Sequence, residues 1–143
     1  MQKLIAWLMF AGAILRTDPV LVTKVTNGDS ITVQTIGSVH LLGIEASSVK
    51  ARERLESLVA RRWVRLEFDE AASQASTSSR ASHHRAYVML DTGEFVNLTL
   101  VREGLARVTA RGTFSRRAEL ERAQEEAQRF RRGMWAGYTR GTP

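Results

Sequence analysis

The chain of 143 residues contains no cysteine. Disulfides, thiolate metal sites and cysteine nucleophiles are therefore excluded together. Aromatic residues make up only 7% of the sequence, so a core must rest on Val, Leu, Ile and Ala. No apolar run reaches the roughly 20 residues that a membrane-spanning helix needs. Lysine is scarce, standing only at Lys3, Lys24 and Lys50, and the positive charge is carried by arginine. Lys and Arg number 21 against 15 Asp and Glu, a net charge of +6. Such a surface suits nucleic acid, anionic lipid or an acidic subunit, because the guanidinium fork matches phosphate and carboxylate alike. The hydrophobic share of 43% and the charged share of 25% are ordinary for a globular protein. The length suits one domain around one core.

The first residues stand apart. Met1-Gln2-Lys3 precedes an apolar run from Leu4 to Leu15, followed by a polar stretch. One positive residue before a short apolar segment resembles a secretory signal. Cleaved, it implies export from a bacterial cell. Retained, it makes residues 1–19 an apolar anchor helix, with membrane association through residues 4–15 or mitochondrial residence.

From Val20 the pattern becomes that of a barrel. Val20–Thr26 is β-branched, Asn27-Gly28 is a two-residue turn signal, and Asp29–Ile36 alternates as a second strand. Val39–Glu45 reads as a third strand. Ser47-Ser48 offers an N-cap to a helix from Val49 to Ala60, with Arg61-Arg62 complementing the dipole at its far end. Trp63–Asp69 and Arg85–Leu90 are strands, separated by a Ser/Ala-rich stretch, Glu70–Ser82, that reads as a loop. Asn97–Leu105 is a short helix ending near Gly104. Ser115–Arg132 is a long amphipathic helix with a stripe of Leu120, Ala123, Ala127, Phe130 and Met134, and Gly133 is its C-cap. Three strands, a helix, two strands and two helices is the order of an α+β protein built on a five-stranded OB-type barrel. The expected organisation is a leader at 1–19, a domain at 20–137 and a tail at 138–143.

The motifs sharpen this. NGDSITV, GIE one strand later, RAYVMLDTGEFVNLTLVREGLARV and a helix ending in GMW together resemble the staphylococcal nuclease family from about Val20 to Trp135. The most specific stretch, Ala86 to Ala106, is a hairpin and helix of the scaffold. Family nucleases cleave phosphodiesters with calcium. Carboxylates hold the ion, two arginines grip the phosphate, and a glutamate acts near the attacking water. This set answers the charge that develops on a phosphodiester in its transition state.

Carried over residue by residue, the resemblance implies an altered site. The family's D-G-D-T motif falls on Asn27 to Ser30, which leaves Asp29 as a metal ligand. The first arginine falls on His40. The D-T-P-E motif falls on Glu45, Ala46, Ser47 and Ser48, so a second metal carboxylate survives as Glu45 and the water-activating glutamate becomes a serine. The second arginine falls on His83, with Arg85 two residues on along the same side of an extended strand. Asp29 and Glu45 are thus the candidate calcium ligands. Together with His40 and His83 they would suit a transition metal instead. Arg52, Arg61, Arg62 and Arg65 are candidates for a phosphate backbone. Phe68 and Tyr87 are candidate base platforms, and Trp63 and Trp135 read as packing residues.

Three functions follow. The first is a nuclease-like module without cleavage and without a resident cofactor, acting as an accessory or structural subunit of a larger assembly with protein partners. The second is a calcium-dependent nuclease with relocated groups, Arg85 among them. The third is an OB module that binds nucleic acid without cutting it.

Overall fold

The computed structural model describes residues 14–74 and 84–137. The strands are β1 (Ile14–Arg16), β2 (Val20–Asn27), β3 (Ser30–Val33), β4 (Gly37–Leu41), β5 (Ile44–Glu45), β6 (Trp63–Asp69), β7 (His84–Leu90) and β8 (Arg107–Val108). The helices are α1 (Val49–Val59), α2 (Glu70–Gln74), α3 (Val96–Arg102) and α4 (Arg117–Arg129), with a closing 3-10 turn at Gly133–Trp135. Strands β6, β2, β3, β4 and β7 pair in that order, and β7 returns to β6, so the barrel closes. The β4–β7 pair is parallel and the others are antiparallel. This is the five-stranded OB-type barrel with helices that the element order implied. Its interior is filled by branched aliphatics such as Val22, Ile31, Leu41 and Leu66, all fully buried.

Several local expectations change. Ile14–Arg16, the end of the expected leader helix, is a strand that pairs with β6, Arg16 opposite Glu67. The pairing satisfies the backbone of that edge of β6, and the sheet therefore begins before residue 20. Residues 4–13 of the leader lie outside the described residues. The third strand breaks at Leu42-Gly43 because Gly43 has φ +84 and Phe114 packs where its side chain would stand. The break turns Ile44 and Glu45 aside to pair with β8, a two-residue strand that no periodicity announced. Glu70–Gln74 is helical, started by Asp69, whose carboxylate accepts the amide of Ala71 at 3.0 Å. Helix α1 ends at Val59, so Arg61 and Arg62 lie in the following turn. Phe130 and Met134 leave the apolar stripe of α4 and are exposed, since the helix ends at Arg129 and Arg131 turns to φ +53.

Two polar devices fix the helices to the barrel. Asn97, fully buried on α3, donates to the carbonyl of Leu42 at 2.9 Å and accepts the amide of Val88 at 3.0 Å. It clamps the broken strand to β7. On the outer face of β6, Asp69 accepts the Tyr87 hydroxyl at 2.9 Å and the amide and hydroxyl of Ser115 at 2.6 Å each. Beside it, Glu67 receives Arg16 at 3.0 Å and Arg116 at 2.8 Å. Burial by itself pushes the Asp69 carboxyl up, but the hydrogen bonds from Ser115, Tyr87 and Ala71 outweigh it and hold the group below the ordinary value. Burial and the neighbouring carboxylate push the Tyr87 phenol well above its ordinary range. Arg116 also lies over the rings of Tyr87 and Phe95, at 5.4 and 5.1 Å. Tyr87 is therefore wholly buried and cannot serve as a base platform.

Candidate active-site cleft

The turn between β2 and β3 is pressed onto the start of α1. A side chain at Gly28 would come within 2.8 Å of the Ala46 carbonyl and 2.9 Å of the Ala51 methyl. Glycine's missing Cβ allows the approach, and it delivers Asp29 to the loop before the helix. There Oδ2 of Asp29 accepts the amide of Ala46 at 3.0 Å. The Asp29 side chain is almost buried. Ser30 donates to its Oδ1 at 3.3 Å, and the same hydroxyl lies 2.9 Å from Nδ1 of His40. Nε2 of His40 stands 3.7 Å from Oδ2 of Asp29.

The Ser30 hydroxyl thus bridges the His40 ring and the Asp29 carboxylate.

The cleft around this group has a volume of about 830 Å³. Its charged lining is Asp29, His40, Glu45, Lys50 and Arg107. Glu45, exposed at the end of β5, accepts the Thr109 hydroxyl at 3.2 Å. Ser48 caps α1, its hydroxyl accepting the amide of Ala51 at 3.1 Å. The far wall is set by two glycines, Gly104 at φ +75 and Gly133 at φ +54. A side chain on either would collide with the backbone of the other's neighbourhood, and the amide of Met134 donates to Gly104 at 2.9 Å. Sequence reasoning read Gly104 and Gly133 only as helix ends and did not single out Lys50 or Arg107. The two glycines and Arg107 fall in or beside the EGLA and GMW stretches, whereas Lys50 carries no such signal.

Arg85 faces His40 in the register of the parallel β4–β7 pair, and Ser30 faces His40 on the other side. The three side chains form a row on one face, which puts Arg85 at the edge of the site without any register shift. His83 lies outside the described residues. Arg52, Arg61, Arg62 and Arg65 do not line the cleft. Trp63, expected to pack, is 56% exposed, whereas Trp135 is half-buried beneath Arg107.

Calcium wants six to eight oxygen ligands. Here each oxygen of Asp29 already accepts one hydrogen bond, from Ser30 and from Ala46, and Nε2 of His40 lies 3.7 Å from Oδ2. Among the described residues, no three of His, Asp and Glu come together as a metal site. Asp29 and Glu45 are the carboxylates that line the cleft, and two carboxylates alone are few for a calcium ion.

Residues 39–137 match the family model of staphylococcal nuclease homologues. The chain belongs to that family. The match begins at Val39 in β4 and takes in β5, the Asn97 clamp, Gly104 and Gly133, while Asn27 and Asp29 of the cleft lie before it. No curated protein matches the chain.

Proposed function

We propose that this member of the staphylococcal nuclease homologue family does not cleave phosphodiesters and serves as an accessory subunit of a larger assembly. The observation that carries the reading is the engagement of Asp29 by Ala46, Ser30 and His40. A carboxylate so held is a structural anchor for the loop before α1. Ser48, at the position where the resemblance implies a water-activating glutamate, spends its hydroxyl on the helix amide of Ala51. Loss of one preorganised donor lowers a rate by roughly 10²–10³, and losses in one unit are not additive. Histidine at position 40 and serine at position 48 are two such changes in one site.

One observation favours a second reading. Arg85 stands beside His40 in register, where it could grip a phosphate in place of the family's arginine. This would make the chain a nuclease with relocated groups, calcium being the family's ion. Incubation of the full-length chain with single-stranded DNA and RNA, with calcium or with EDTA, separates the two. The proposal expects no cleavage in either, and recovery of a protein partner by pull-down of the full-length chain. Cleavage abolished by Arg85→Ala supports the second reading. Any membrane attachment would rest on residues 4–15, of which Ile14 and Leu15 are paired with β6; among the described residues no helix is long and apolar enough to cross a membrane.

A further inference from the structure

Arg16, Arg54, Arg102, Arg116, Arg117 and Arg132 each meet a glutamate. Several other arginines are exposed and form no ion pair among the described residues, and three of these, Arg61, Arg62 and Arg65, cluster around one exposed aromatic ring. Between them stands Trp63, 56% exposed on the first residue of β6. Trp63 and Arg65 share the outer face of that strand, since side chains alternate. Arg61 and Arg62 form the turn that leads into it.

The backbone under this patch is fixed. The amide of Arg61 donates to Val22 at 3.1 Å, and the carbonyl of Arg62 accepts the amide of Val22 at 3.0 Å. Arg61 is held at φ +58, a conformation that glycine usually supplies after a helix. Trp63 is paired with Leu21 on β2. The ring is therefore presented by a closed barrel and not by a loose loop.

We infer that Arg61, Arg62, Trp63 and Arg65 form a docking surface for single-stranded nucleic acid, outside the cleft. An exposed indole offers a π-face to an unstacked base, and three unpaired guanidiniums offer charge to the phosphates on either side. A duplex keeps its bases stacked and gives Trp63 nothing to meet. An acidic peptide would satisfy the arginines and leave the ring unused. A lipid surface calls for a larger apolar area than one indole beside a half-buried Leu21. The patch meets β2 at Val22, and Asn27 of the cleft lies five residues further along, roughly 16 Å at the rise of a strand. The surface therefore stands whether or not the cleft is catalytic.

The test is fluorescence anisotropy of a labelled oligothymidylate with the full-length chain in EDTA, across a salt series. Two variants are compared with the wild type: Trp63→Ala, and the combination Arg61→Gly, Arg62→Gln and Arg65→Gln. Glycine suits the backbone at position 61, and circular dichroism checks that both variants are folded. Trp63→Ala is expected to weaken binding about tenfold. The arginine combination is expected to lower the salt slope by about 2, at about 0.7 for each phosphate that is no longer neutralised. Equal affinity of the wild type and both folded variants overturns the proposal. So does loss of binding in His40→Ala with Lys50→Ala while Trp63→Ala binds normally. Binding to phosphatidylserine vesicles with no affinity for the oligonucleotide also overturns it.

Discussion

His40 presents Nε2 3.7 Å from Oδ2 of Asp29, and both residues line the cleft. The ring and a divalent cation would compete for space at that carboxylate. Because Asp29 also accepts the Ala46 amide, it ties the β2–β3 turn to the approach of α1. Asp29→Ala is expected to destabilise the fold by about 1–3 kcal/mol, the cost of leaving a buried donor unmet. A ligand that binds only the native state would raise the melting temperature. Calcium is expected to leave the wild-type value unchanged in scanning calorimetry, while Asp29→Ala lowers it with or without the ion.

Ser48 and Ala51 make a second such pair. With the serine hydroxyl accepting a first-turn amide, Ser48→Ala should cost about 1 kcal/mol. Urea denaturation measures it. A serine without a capping role would leave the midpoint where it is.

The two glycines of the far wall differ from those at hairpin tips. Gly93 has φ +90 and open space around it, whereas Gly104 has φ +75 and the carbonyl of Arg132 against it. Gly93→Ala should cost about 1–2 kcal/mol, the strain of a left-handed alanine. Gly104→Ala adds a backbone collision and should cost distinctly more, with loss of the cleft wall. Equal midpoints for the two variants in urea denaturation would count against the close approach.

Stability should fall at both ends of the pH range, for different reasons. The Asp69 carboxyl is held below its unfolded value of 3.8. Its contribution is therefore present above that pH and lost as the pH falls through the lower folded value. The Tyr87 phenol is raised above its unfolded value of 10.0. Its contribution is present below pH 10 and lost as the pH rises beyond it. Asp69→Asn should flatten the acid edge and Tyr87→Phe the alkaline edge in denaturation curves taken across pH. An acid edge untouched by Asp69→Asn would place the titrating group elsewhere.

The barrel was legible because its strands alternate and its turns carry Asn-Gly and Asp-Thr-Gly signals. That Asp29, His40, Glu45 and Ser48 share one cleft was legible because the motifs place each one on a defined strand or cap. Pairing was less legible. Ile14–Arg16 belongs to an apolar run, and only the partner strand β6 makes it a strand. A chain cut at residue 19 would therefore lose β1 and the Arg16–Glu67 bridge. Tyr87 and Trp63 exchanged their expected exposures, since burial on the outer face of a barrel depends on where a distant helix lands. The start of α4 covers Tyr87 through Ser115 and Arg116, and leaves Trp63 exposed at the other end of β6. Lys50 and Arg107 converge on one cleft only through the turn at Gly43 and the short β5–β8 pair.

The central claim is that the cleft does not cut phosphodiesters. Its most direct test is single-turnover incubation of excess full-length protein with a labelled single-stranded oligonucleotide in saturating calcium, resolved on a denaturing gel. The account predicts intact substrate, indistinguishable from the EDTA control and from Asp29→Ala. Calcium-dependent products that disappear in Asp29→Ala would contradict it.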